Sequence, residues 1–378
     1  METATPCNEL LDLCLRAESW SSELLDRALA VEEGRGFLSV VVERLGDLFE
    51  PRLCQAYDRL FRQVIERTCP DLSPRIRRSK RSGPPAGDTR RIYVLSRITL
   101  GADVAVTSVL LDAAKRRYPD AEILFAGPEK NYQLFEADPR ITHIPAPYAR
   151  GGTLKERLRA SAELWFEDGI VLDPDSRLTQ LGLISVCDDR RYCFFESRSY
   201  GGDGMEPLSA LASRWAHEVL GVSGARPYIA PLAPSGPPAD ITVSLGVGEN
   251  SEKRLGDGFE RELLRTLAAT GASVLVDKGG TAVERERVER ALLPGMRTHE
   301  GAFAPFAAEI ARSKLFAGYD SAAGHVASAC GVDLVSIAAG FASERMLARW
   351  RPHGAVIRGD AADPLGEVKS ALAAYRRK

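Results

Sequence analysis

The sequence predicts an α/β protein of two Rossmann-like, doubly wound domains preceded by an all-α segment. Three observations lead there. From residue 91 onward, short apolar runs alternate with amphipathic stretches, which is the signature of parallel βαβ units. A proline-rich stretch, residues 225–240, divides that alternation into two similar halves. Residues 7–68 show helical periodicity with no strand pattern. The expected organisation is a helical accessory domain and linker over 1–85, a first Rossmann-like domain over 86–225 and a second over 226–378.

In the helical segment, Leu10, Leu11, Leu13 and Cys14, then Leu24, Leu25, Ala28 and Leu29, recur on common helical faces. Pro51 marks a break or a first helical turn. Residues 70–91 are rich in Pro, Gly, Ser and Arg and read as a linker. Its basic run of Arg75, Arg77, Arg78, Lys80 and Arg81 is either a solvated face or a contact for anionic lipid headgroups.

The first α/β half opens with the strand "RIYVLS", the helix "DVAVTSVLLDAAKRRYP" and the strand "AEILFAG". A short helix at "EKNYQLFEAD" and the run "ITHIPA" follow, and "GIVLDPDSRLTQLGLIS" and "YCFFESR" continue the pattern. Pro227, Pro231, Pro234, Pro237 and Pro238 then exclude a helix or a central strand, so 225–240 is an interdomain connection. The second half reads strand "ITVSLGV", helix "DGFERELLRTLAATG", strand "ASVLVDK", helices "AVERERVERALL" and "FAPFAAEIARS", strand "KLFAGYD", helix "GHVASACG" and strand "DLVSIAA". An amphipathic helix, "PLGEVKSALAAYRRK", closes the chain. Ligands of such sheets gather at the carboxyl ends of the strands, here in an expected cleft between the two domains.

Composition narrows the function classes. A net charge of -2 gives no global attraction to nucleic acid. Hydrophobic residues make up 44% and charged residues 27%, as in soluble globular proteins. No apolar run is long enough to cross a bilayer, and the acidic amphipathic N-terminus lacks the features of a secretory signal. The expected location is the cytoplasm, with peripheral contact at the inner membrane face open to the basic run. The 7 cysteines form no CxxC pair and the 5 histidines no HExxH, so neither a disulfide framework nor a resident metal is expected.

Three stretches carry candidate chemistry. In "DSAAGHVASACGV", a strand ends at Asp320 and an alanine-rich helix begins. Ser321 is an acceptable N-cap, and Ala322, Ala323 and Gly324 leave the first-turn amides uncovered. Free amides and the helix dipole attract an anion such as phosphate, and His325 can donate to a phosphate oxygen. An ordinary strand-to-helix turn explains the same residues. In "SRITLGADVAVTS", Gly101 and Ala102 allow a tight turn and Asp103 starts a helix, either as its cap or as a general base facing the cleft. In "SLGVGENSEKRLGDGF", Gly246 and Gly248 form a flexible loop ahead of Lys253 and Arg254. That pattern fits a diphosphate clamp or plain surface charge, and it matches neither GxxxxGK[ST] nor GxGxxG.

Taken together, and in this order, the stretches resemble glycosyltransferase family 9, the ADP-heptose:lipopolysaccharide heptosyltransferases, over about residues 91 to 360. "TLGADVAVTSVLLDAAKRRYPDAEILFAG" is similar to the family's first motif, "SEKRLGDGF" to its donor loop, and "DSAAGHVASACG" to its C-terminal signature D-[ST]-G-x-x-H-x-A-A-A-x-G. The resemblance implies the GT-B fold and inverting glycosyl transfer from a nucleotide sugar, with ADP-heptose the family's donor, without a metal or other cofactor. It implies Asp103 as the catalytic base, Lys253 at the donor diphosphate, and Asp320, Ser321, Ala322 and His325 around the donor's phosphates and sugar; Gly246 and Gly324, from the reading of their loops above, are further candidate donor contacts. Glu284, in "KGGTAVERE", is a candidate ribose contact.

The chain departs from the family pattern at Ala102 and Ala322, where the family has glycine. Val109 stands where a proline is usual, and "LGDG" replaces the Trp-Pro after the lysine. These departures keep two other readings open: a degenerate nucleotide-sugar-binding scaffold, and a GT-B-like sugar-nucleotide epimerase. The expected partners are a nucleotide sugar and a glycan, lipid-linked or protein acceptor, with homo-oligomerisation through the N-terminal helices a further option.

Overall fold

The computed structural model describes residues 5–77, 89–146, 148, 151–234, 236–248 and 250–375. The chain divides into two compact units. One comprises Met1–Ile98, Val109–Glu129 and Arg140–Ala225; the other comprises Thr99–Ser108, Lys130–Pro139 and Arg226–Lys378.

The first unit is built on a parallel sheet of five strands, β1 (Arg91–Leu95), β2 (Glu122–Gly127), β3 (Ile141–Pro145), β4 (Ile170–Asp173) and β5 (Tyr192–Phe194). Their order is β3-β2-β1-β4-β5, so the winding reverses between β1 and β4. Beside the sheet lie the N-terminal helices Pro6–Leu15, Ser22–Ala30 and Pro51–Thr68, the last with Pro51 in its first turn. Thr5 and Ser21 cap the first two through their hydroxyls, accepting from the Asn8 and Leu24 amides. Their apolar faces form one core around Leu10, Phe37, Leu60 and Phe61. Leu154 and Leu158 of the helix Leu154–Glu163, together with Leu183 and Ile184, complete that same core.

The basic run after residue 70 differs from both expectations for it. Pro70–Arg75 forms a 3₁₀ helix, and Ile76 bridges antiparallel to Ile184. The Arg75 guanidinium donates to the carbonyls of Leu164 (2.6 Å) and Ser185 (3.1 Å). Arg77 is 2% exposed, stacks 3.6 Å from the Tyr192 ring centre and pairs with Asp189. Neither side chain is available to a lipid surface, because unpaired backbone carbonyls and an aromatic face bind a guanidinium well in a poorly hydrated setting. Arg78, Lys80 and Arg81 lie outside the described residues.

The second unit is a parallel sheet of six strands, β6 (Ile241–Ser244), β7 (Val274–Asp277), β8 (Arg297–His299), β9 (Leu315–Tyr319), β10 (Asp333–Ala338) and β11 (Ala355–Arg358). The order is β11-β10-β9-β6-β7-β8, a doubly wound sheet whose winding reverses between β6 and β9. Continuous apolar strands such as β9, buried at all five positions, are what a sheet covered on both faces requires. β6 and β9 approach closely at Gly318, where any side chain would press into the Ser244 carbonyl. β8 and β11 are short and partly exposed, and the sequence pattern does not disclose them.

Candidate donor and base site

The reversal point of the second sheet fixes two loops side by side, because β6 pairs with β9 from Ile241↔Leu315 to Ser244↔Gly318. The chain leaving β6 runs through Gly246 and Gly248 to Lys253, and the chain leaving β9 runs through Asp320 into the helix Ala322–Ala329. Gly248 has φ +63°, a conformation that glycine adopts at low cost. Lys253 Nζ reaches across to Asp320 Oδ2 at 2.6 Å and lies 5.4 Å from the Phe341 ring centre. The half-buried lysine and the 7%-exposed aspartate are thus a desolvated pair at the mouth of a helix.

Ser321 stands at the N-cap position with extended backbone, but its hydroxyl makes no cap hydrogen bond. The expected capping role is therefore corrected. Ser321 Oγ is buried and has no partner among the described residues. A Cβ on Gly324 would lie 3.9 to 4.0 Å from Leu334, Ser336 and Phe316, so this side of the glycine packs toward the sheet. The His325 ring packs edge-on against Trp350, centroids 5.8 Å apart. Burial pushes its pKa down; Lys253 adds to that shift and Asp320 opposes it. The imidazole is accordingly neutral near pH 7, with one N–H to donate.

Glu284 lies behind the glycine loop. Its amide donates to the N-cap Thr281 (3.2 Å), and its carboxylate accepts from the Gly280 amide (3.0 Å). A Cβ on Gly246 would fall 2.8 Å from Glu284 Oε1, so that position admits only glycine while Glu284 keeps its place.

Asp103 departs from its expected setting. The helix begins at Leu100, with Thr99 at the N-cap position, and Asp103 opens a π turn, Asp103–Thr107, inside it. Asp103 is therefore no cap. It is 0% exposed, accepting from Thr107 Oγ1 at 2.5 Å and from Asn131 Nδ2 at 2.6 Å. It does not face open solvent, because two neighbouring donors satisfy the carboxylate inside the fold. The same helical start lies over the Asp320 loop: a Cβ on Gly101 would sit 3.1 Å from His325 Cδ2 and 3.3 Å from Ala322 Cα. Just before it, Ile98 holds φ +77°, unusual for a β-branched residue, with its amide bonded to Ser96 Oγ at 2.8 Å.

All the sequence-predicted residues lie in the second unit. Lys253, Asp320 and His325 are brought together, and Glu284 lies against Gly246. Thr107 and Asn131 were not foreseen; Thr107 stands at i+4 from Asp103, a readable spacing on a helix.

No protein-family model matches the sequence, and neither does any curated protein. Solved structures do match. The E. coli heptosyltransferase WaaC, solved with ADP, superposes with a TM-score of 0.56 at 16% identity, over 75% of this chain and 99% of that one. The fold is GT-B. E. coli ADP-heptose lipopolysaccharide heptosyltransferase II shares this GT-B fold with a TM-score of 0.52 at 20% identity, over 75% of this chain and 98% of that one. A family 9 glycosyl transferase from Veillonella parvula gives 0.53 at 17% identity, over 76% and 92%. In GT-B terms, the Lys253–Asp320 pair occupies the carboxyl edge of the C-terminal Rossmann-like sheet. No described helix is long and apolar enough to cross a membrane.

Proposed function

We propose that the chain is an inverting glycosyltransferase that moves a sugar from a nucleoside-diphosphate donor to an acceptor hydroxyl without a metal ion. The observation carrying this reading is the meeting of Lys253 with the start of the helix Ala322–Ala329 at the reversal point of the second sheet. A departing diphosphate gains negative charge, and an ammonium beside helix amides stabilises such charge with little reorganisation. In this reading the donor oxygens compete with Asp320 for Lys253, while neutral His325 and the Ser321 hydroxyl donate to the phosphates or the sugar. Glu284 is positioned for the ribose. The GT-B neighbours include one solved with ADP, so ADP-heptose is the first donor to assay.

Asp103 takes the proton of the acceptor hydroxyl as that oxygen bonds to the anomeric carbon. The bond from that carbon to the diphosphate breaks, and its electron pair leaves with the nucleoside diphosphate. Because Asp103 is fully buried and doubly hydrogen-bonded, the step requires the start of its helix to open toward the acceptor. The same burial favours a second reading, a non-catalytic nucleotide-sugar binder in which Asp103 only secures the Thr107 and Asn131 contacts.

Two substitutions separate these readings. Asp103→Asn is expected to lower nucleoside-diphosphate release by about 100-fold or more while donor affinity is kept, since a general base contributes on that scale. Lys253→Met is expected to weaken donor binding itself. A wild-type protein that binds donor but releases no nucleoside diphosphate, with any of a panel of hydroxyl acceptors, leaves only the binder.

A further inference from the structure

The donor loop is anchored at both ends by one carboxylate. Glu260, on the helix Asp257–Ala268, is 0% exposed. Its Oε1 accepts from Arg254 Nε at 2.9 Å and from Arg287 Nη1 at 2.6 Å. Arg254 directly follows Lys253 and also reaches Asp257 Oδ1 at 2.5 Å. Arg287 turns its other nitrogen to the Leu245 carbonyl at 2.8 Å, where the loop leaves β6, and lies 3.7 Å from Glu284 Oε1. The Leu255 amide donates to the Tyr319 hydroxyl at 3.1 Å, tying the end of the loop to the last residue of β9, which precedes Asp320.

We infer that Glu260 is a positioning residue: by holding Arg254 and Arg287 at once, it sets the span of the loop 245–254 and so the place of Lys253. This inference rests on the reading of that loop as the donor-diphosphate site. The physical argument is that two guanidiniums in a poorly hydrated pocket repel each other unless a shared anion lies between them. Each guanidinium has a second hydrogen bond, to the side chain of Asp257 and to the Leu245 carbonyl, so fixing the pair fixes the backbone on both sides of the glycines. A mobile lysine would meet the donor from many arrangements and lose affinity to ordering. Glu260 acts through the arginines and touches no reacting atom.

Glu260→Gln keeps the size and an acceptor oxygen but removes the charge. Its expected result is faster hydrogen exchange of the amides in 245–255, with the β9 amides unchanged. The donor KM should rise about tenfold, the equivalent of 1.4 kcal/mol, while kcat changes little. Affinity for ADP, GDP or UDP by calorimetry should fall by the same factor, and the Lys253→Met, Glu260→Gln double variant should bind no more weakly than Lys253→Met alone. Wild-type exchange and affinity in Glu260→Gln, or fully additive losses in the double variant, overturn the inference. A wild-type protein that binds none of the three nucleotides overturns the donor-site reading and the inference with it. If Glu260→Gln does not fold, Arg287→Lys carries the same test, because it keeps a cation but gives up the fork between Glu260 and Leu245.

Discussion

Asp277, the last residue of β7, is an acid held in an unfavourable place. Burial lifts its pKa to about 6; Glu284 adds to the rise, while His299 and the Gly279 amide oppose it. A carboxyl with a raised folded-state pKa binds its proton more tightly folded than unfolded. Its stabilising effect is therefore complete below about pH 4 and is lost as the pH rises through about 6. Replacing it by Asn removes that dependence. The melting temperature of Asp277→Asn should match the wild type near pH 4 and exceed it at pH 7, by an amount equivalent to about 1–2 kcal/mol, since the partly exposed carboxylate keeps some water. An equal difference at both pH values refutes the assignment. Single residues were also where the sequence was least readable. That Ser321 would leave its hydroxyl unbonded, or that Gly324 would face the sheet, depends on rotamer and helix phase, which local composition does not encode. Glu260 did leave a trace, since it falls at i, i+3, i+4 and i+7 with Leu263, Leu264 and Leu267, on the face that packs inward.

At the scale of elements, the strands that flank the reversal points were legible because each is a compact, mostly apolar run. β8 and β11 were not, because an edge strand of three or four half-exposed residues carries neither alternation nor an apolar block. The Asp103 helix was foreseen, but its start was placed three residues late: nothing in "TLGAD" distinguishes Asp as a cap from Asp inside the second turn. The closest strand approach yields a firm expectation. Gly318→Ala forces a methyl against the Ser244 carbonyl between β6 and β9, and backbone cannot yield as a flexible side chain can. Destabilisation of about 2–4 kcal/mol is expected in urea unfolding. A near-neutral result means that the two strands separate more easily than their register implies.

For the molecule as a whole, the helical segment and the first sheet unit share a core, because Leu154, Leu158, Leu183 and Ile184 pack among the N-terminal helices. Leu158 is 0% exposed. Leu158→Asp should therefore cost more than about 4 kcal/mol, as an uncompensated buried charge does. It should melt the N-terminal helices and the first sheet together, in one transition followed by circular dichroism and by proteolysis. Survival of the sheet while the helices melt would show two independent cores. Length and composition conveyed neither this sharing nor the inward turn of Arg75 and Arg77, since both depend on contacts made more than 80 residues away in sequence.

The left-handed backbone at Ile98 is held by its amide hydrogen bond to Ser96 Oγ and by what surrounds its side chain. Ile98 packs with Ala146 and Leu178, and that small apolar nest helps to outweigh a torsional penalty of roughly 1–3 kcal/mol. Shrinking it with Leu178→Ala should let the peptide relax to an ordinary angle and unlatch the turn from which the Asp103 helix departs. The sugar transfer proposed above is then expected to drop further than the melting temperature does, and equal proportional losses would show that the kink contributes nothing to reactivity.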